Sequence, residues 1–181
     1  LPFGLLLDED GRPYGEKLAV TGVPSLPFAL VLAQRPRAQG PAALDLALIA
    51  APEPDPALQL PSFPLGPDER KRLTEPFERV RVLTGAEAVK AALLAKRETW
   101  MDARILHFFT HGLEEREEDA AALVLAPGGG EDCLLRARDV MTLKLRGIVV
   151  LSACSAGRGP LRLGDDQFVH LGGAFLDAGA R

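Results

Sequence analysis

Arg104-Ile105-Leu106-His107-Phe108-Phe109-Thr110 is a nearly unbroken run of apolar and β-favouring residues that ends on His111-Gly112. Such continuity predicts a central strand covered on both faces, as in a parallel sheet packed between helices. A second run of the same kind, Gly147-Ile148-Val149-Val150-Leu151-Ser152-Ala153, ends on Cys154. In open parallel sheets, reacting groups collect outside the carboxyl ends of the strands, so each run delivers a chemically capable side chain to the favoured edge.

Outward from these two runs, aliphatic segments alternate with helical patterns. Leu44-Asp45-Leu46-Ala47-Leu48-Ile49-Ala50 and Val80-Arg81-Val82-Leu83 predict further strands. The proline-studded stretch 52–67 reads as a loop, because proline removes amide donors. A helix is expected from Pro67-Asp68-Glu69 to about Pro76, with proline and early acids suiting its first turn. Thr84 stands three residues before Glu87 at capping-box spacing, predicting a helix over 86–97. Ala122-Leu123-Val124-Leu125-Ala126 and Cys133-Leu134-Leu135 flank a turn-rich bridge and predict a hairpin. The charge run Glu114-Glu115-Arg116-Glu117-Glu118-Asp119 reads as a solvated loop, and 138–143 as a short helix. This alternation predicts an α/β protein: a three-layer α/β/α sandwich with a mostly parallel central sheet and a small β-hairpin insertion. With 181 residues and 47% hydrophobic content, one domain spanning 1–181 is expected. Its start at Leu1-Pro2 and its stop at Arg181, directly after an apolar helical pattern and without a closing element, suggest a fragment whose C-terminal core elements are missing.

A net charge of −4 with scattered Lys and Arg gives no footprint for nucleic acid or an anionic membrane. No apolar run reaches the roughly 20 residues of a membrane span and no signal core opens the chain, so a cytoplasmic protein is expected. Cys133 and Cys154 are the two cysteines, both expected to remain thiols, Cys133 as a small core hydrophobe. A thiol is a weak nucleophile until deprotonated, and an imidazole of ordinary pKa about 6.5 can take that proton near neutrality. His111 and Cys154 therefore supply the parts of an acyl-transfer dyad, with the Gly112 and Cys154 amides as candidate oxyanion donors. Ser155-Ala156-Gly157-Arg158-Gly159 leaves room for close backbone approach. His107 lies four residues before His111, but a tetrahedral metal site wants more ligands, so His107 reads as a strand histidine packed under the sheet. Gly128-Gly129-Gly130 lacks the Lys-Ser or Lys-Thr of a phosphate loop and reads as a turn. Neither metal nor cofactor is expected. His170 is given no role. Asp165 and Asp166 follow the glycine loop and read as solvated surface acids, the alternative being a place in a substrate pocket that would favour a basic group.

Ile105-Leu106-His107-Phe108-Phe109-Thr110-His111-Gly112 resembles the histidine motif of the CHAT family of caspase-like peptidases. The stretch Leu134-Leu135-Arg136-Ala137-Arg138-Asp139-Val140-Met141, then Leu145-Arg146-Gly147 and Val149-Val150-Leu151-Ser152-Ala153-Cys154, resembles that family's path into its cysteine motif. Gly157, Gly159, Gly164 and Leu171-Gly172-Gly173-Ala174-Phe175-Leu176 continue the likeness, and Val23-Pro24-Ser25-Leu26 is compatible upstream. Specificity comes from joining the two motifs, 43 residues apart; the caspase pattern Gln-Ala-Cys, with its His about 50 residues upstream, is related. Ser155-Ala156-Gly157 departs mildly from the family's usual acid, hydroxyl residue and glycine after the cysteine. The resemblance implies a caspase-like fold and a cysteine endopeptidase of the caspase, separase and gingipain group. It also implies a bacterial setting, regulated proteolysis of a protein or peptide substrate, and a fused or associated sensor or repeat domain. The rival expectations are a non-catalytic interaction or signalling module on the same fold, and an acyl hydrolase or transferase acting on small molecules.

Overall fold

Four aliphatic segments form one parallel sheet in the computed structural model, which describes residues 6–13, 16, 26–35, 40–51, 53–63, 65–115, 120–128, 130, 132–153 and 171–181. The chain divides into two compact units, Leu1–Arg37 and Ala38–Arg181. In the first, helix α1 spans Leu26–Gln34. Upstream of it, the Asp8 carboxylate accepts the amides of Asp10 (3.0 Å) and Arg12 (2.9 Å) in a tight turn.

The second unit runs β1 (Leu44–Ala50), α2 (Pro67–Thr74), β2 (Val80–Leu83), α3 (Lys90–Ala95), β3 (Ala103–Phe109), β4 (Gly112–Glu115), β5 (Ala120–Val124), β6 (Leu134–Arg136), α4 (Ala137–Val140), β7 (Ile148–Ser152) and α5 (Leu171–Asp177). The parallel sheet has the order β2-β1-β3-β7, in register Leu46↔Val80, Leu48↔His107 and Phe109↔Ser152. The α/β class and parallel centre are as the sequence predicts. So are the strand at 44–50, the proline loop and the helix starting at Pro67.

Alternation along the strands sends Ala47, Ile49, Leu83, Leu106 and Phe108 to one face. There they join Leu93 of α3, Val140 of α4, and Leu171 and Phe175 of α5 in a single core cluster. Phe108 meets Phe175 at a ring separation of 5.3 Å. Burying such a side chain fully contributes about 1.5–3 kcal/mol. Trp100 is also fully buried, and its Nε1–H donates to the Leu93 carbonyl at 3.1 Å, so the indole's own donor is paired.

The structure corrects five expectations. β7 is not buried on both faces: Val149 and Leu151 pack on the core, while Ile148 and Val150 are 52% and 38% exposed. An apolar run reports hydrophobicity but not position, and among the described strands β7 lies last in the sheet order. The predicted hairpin is a three-stranded antiparallel sheet, β4-β5-β6. Its third strand is built partly from the charge run, whose Glu114 and Glu115 pair with Ala121 and Ala120 instead of looping through solvent. Charge signals solvated side chains and says nothing of main-chain pairing, and antiparallel strands tolerate polar positions. The helix at 86–97 is broken into a 3-10 turn at Gly85–Ala88, then α3, then a 3-10 turn at Arg97–Thr99. Val89 is extended and bridged to Ala126, so a tertiary contact overrides local propensity. The Thr84 capping box does not form; Glu87 pairs with Arg81 at 3.2 Å instead.

A charge cluster ties the antiparallel sheet to α3. The ammonium of buried Lys90 lies 3.1 Å from Asp132 and 3.0 Å from Asp139. Asp139 also accepts the Arg136 amide at 3.0 Å, and the Arg136 guanidinium reaches Asp132 at 2.6 Å. Burial pushes the Asp132 carboxyl up, but the hydrogen bonds from Arg136, Lys90 and the Leu134 amide outweigh it and hold the group at about 2, below its ordinary 3.8. Because the folded state holds this proton less tightly than the unfolded chain, the contribution is present above pH 3.8 and fades as pH falls towards 2. Urea unfolding across that range should show stability falling with pH. Asp132→Asn should lower stability at neutral pH and flatten that part of the acid slope.

Gly147 precedes β7, and a Cβ there would overlap the Ala103 and Arg104 carbonyl oxygens. Backbone cannot yield as a flexible side chain does, so Gly147→Ala should destabilise by at least about 2 kcal/mol in urea denaturation.

Candidate active site

At the carboxyl end of β3 the chain must leave the parallel sheet and enter β4, and Thr110 makes that corner. Its side chain is buried. Its amide donates to the Ser152 carbonyl of β7 at 3.3 Å. Its hydroxyl donates to the Val124 carbonyl of β5 and approaches the Ala51 carbonyl just past β1 at 3.5 Å. One residue thus joins three segments immediately before His111.

The His111 ring is fixed from the opposite side by the proline-rich loop. A 3-10 turn at Pro56–Leu58, capped by the Asp55 carboxylate, starts the segment. Leu58 and Leu60 then pack on the second core cluster, Ala122, Val124, Cys133 and Leu134, together with Leu113. With those side chains anchored, the next carbonyl, that of Pro61, lies 2.7 Å from His111 Nε2. A carbonyl can only accept, so Nε2 carries a proton and, in the neutral ring, Nδ1 is the basic nitrogen. Phe63 stands edge-on to the His111 ring at 4.4 Å and 86°, and also meets Phe109 at 5.3 Å. Among the described residues, the imidazole is held by one polar and one aromatic contact, both from the irregular end of the proline loop.

Gly112 begins β4 opposite Leu123. The Val124 amide donates to the His111 carbonyl at 2.9 Å. Hydrogen-bonded and non-bonded pairs alternate in an antiparallel ladder, so the Gly112 amide turns away from β5 towards the outer edge. Next to this corner, His107 is half-buried and its Nε2 lies 2.8 Å from Ser152 Oγ. Burial lowers the proton affinity of its imidazole. Cys133 is a buried free thiol, and burial pushes its pKa up, assisted by the charge of Asp55; it is not an activated nucleophile.

Of the residues singled out in the sequence, His111 and Gly112 are therefore placed together at the end of β3. Cys154, Asp165 and Asp166 lie outside the described residues, as does His170. The strand that leads to Cys154 is placed: β7 lies parallel and adjacent to β3, and its last residue pairs with Phe109. Sequence reasoning missed Pro61, Phe63 and Ser152. A backbone acceptor has no motif, and the only available signal was the pair Leu58 and Leu60, apolar residues within an otherwise loop-like stretch.

Among the described residues no helix is long and apolar enough to cross a membrane.

Removing the Thr110 hydroxyl while keeping its shape would leave buried carbonyls without their donor. Thr110→Val should cost about 1–3 kcal/mol of stability in urea denaturation, and Thr110→Ser, which keeps the donor, should cost clearly less.

A family model described as the CHAT domain matches residues 1–181, the whole chain. No curated protein matches it.

Proposed function

The chain belongs to the CHAT domain family, which is related to caspase-like cysteine peptidases, and from that premise we propose that it is a cysteine endopeptidase in which Cys154 is the nucleophile and His111 the proton shuttle. The observation that carries this is the placement of His111. Its ring is oriented by the Pro61 carbonyl at 2.7 Å, at the end of the strand adjacent and parallel to the one that runs into the cysteine two residues after Ser152.

The chemistry follows from that orientation. Nε2–H is committed to Pro61, so Nδ1 takes the Cys154 thiol proton, and the thiolate attacks the carbonyl carbon of the scissile peptide. Negative charge moves to the carbonyl oxygen, where the Gly112 amide, directed away from β5, and the Cys154 amide would receive it. Collapse breaks the C–N bond, and the imidazolium gives its proton to the departing amine, leaving a thioester. Water then attacks the thioester with His111 again as base, releasing the carboxylic product and restoring the thiol. No cofactor or metal enters these steps. The Pro61 carbonyl stabilises the transient imidazolium as an oriented dipole, without the desolvation cost of a second buried charge.

The substrate is a protein or peptide, cleaved in a regulated setting, and a fused or associated sensor or repeat domain is the partner that fits such control. The protein is read as bacterial and cytoplasmic. Asp165 and Asp166 follow the cysteine motif and would favour a basic residue before the cut.

Cys154→Ala and His111→Ala should each abolish nearly all cleavage of a diverse peptide mixture followed by mass spectrometry, with the thermal transition retained. Equal turnover in parent and variants would overturn the dyad. Absence of any cut dependent on Cys154 would leave the non-catalytic interaction module as the better reading.

A further inference from the structure

β3 and β7 share a second polar contact on the face that carries the His111 corner. His107 lies opposite Val150 and Phe109 opposite Ser152, so His107 and Ser152 are diagonal neighbours, and their side chains meet at 2.8 Å. Their neighbours on that side of β7 are aliphatic: Ile148 and Val150 point the same way and are partly exposed. A strand needing only to hold its place could use valine at 152, since β-propensity favours it there. Instead the residue is hydroxylic and is held twice, by its side chain to His107 and by its carbonyl to the Thr110 amide at 3.3 Å. It is the last residue of β7 and precedes Cys154 by two positions.

We propose that His107 and Ser152 are positioning residues whose bond locks the carboxyl end of β7 to β3, fixing the direction in which the chain enters the nucleophile beside His111. This rests on the dyad assigned above and adds a means by which it is held in geometry. The strand needs such a lock because, among the described residues, only its Val149 and Leu151 side packs on the core, and strand ends with few buried contacts open readily. The reaction needs it because a misplacement of about 1 Å between reacting groups can cost on the order of a hundredfold in rate. Either tautomer of the His107 ring satisfies the contact, since the serine hydroxyl both donates and accepts.

The test uses the full chain carrying Cys133→Ala, so that Cys154 is the sole thiol. Alkylation by iodoacetamide as a function of pH reports the thiol's ionisation directly, and peptide cleavage gives kcat and KM. The parent should alkylate with a midpoint well below the ordinary thiol value of about 8.5. Ser152→Ala and His107→Leu should move that midpoint up towards the ordinary value and lower kcat about tenfold while KM changes less than about twofold. Ser152→Thr and His107→Gln, which keep a hydrogen-bonding group, should restore most of both losses. The double variant Ser152→Ala, His107→Leu should be no worse than either single change, as expected of partners in one contact. A lowered midpoint in the parent that none of the variants moves would overturn the positioning role and leave the dyad standing. Loss of kcat that Thr and Gln fail to restore would also overturn it. An ordinary midpoint in the parent would remove the dyad and the positioning role together.

Discussion

Thr110 is the residue on which the arrangement depends. Its amide and hydroxyl reach carbonyls at the ends of β7 and β5 and just past β1, so the parallel sheet, the antiparallel sheet and the start of the proline loop are joined at a single buried point. A hydroxyl there also prevents a local deficit, since carbonyls buried at a sheet corner without donors would each be costly. The geometry of His111 is set as much by this corner as by anything its own ring touches.

Around that corner, rigidity and irregularity are divided between different parts of the chain. The sheet supplies two parallel strand ends in fixed register, which decides the separation of the segments after them. The loop at 53–63 supplies the contacts that decide how the imidazole is turned. That loop has little regular structure, and its hold comes from Leu58 and Leu60 on the small cluster beneath β5 and β6. Regular elements set distances, and a satellite hydrophobic cluster sets angles.

The parts legible in the sequence are those where local pattern and global position agree. The run at 44–50 is aliphatic apart from Asp45 near its start and lies between two other strands, so composition and burial match from Leu46 onward. At 147–153 they part: the same aliphatic wording covers a strand whose outer side chains face solvent. Helix 86–97 failed for a different reason, because Val89 is drawn into a bridge with Ala126 that no short-range signal announces. In the candidate site, His111 and Gly112 stood out because reactive groups after buried strands carry a topological meaning. Pro61 did not, because it participates through an atom that every residue possesses, and its proline identity pointed only to the absence of a helix or strand.

That last point bears on how such a protein tolerates change. An orienting carboxylate can be deleted by a single codon, whereas a main-chain carbonyl survives any substitution at its own position that preserves the fold. The information specifying the angle of the His111 ring is therefore stored elsewhere, in the shapes of two leucines and the four small or aliphatic residues they rest on. Drift in those unremarkable side chains would retune the imidazole, while the two motifs, read letter by letter, stayed intact.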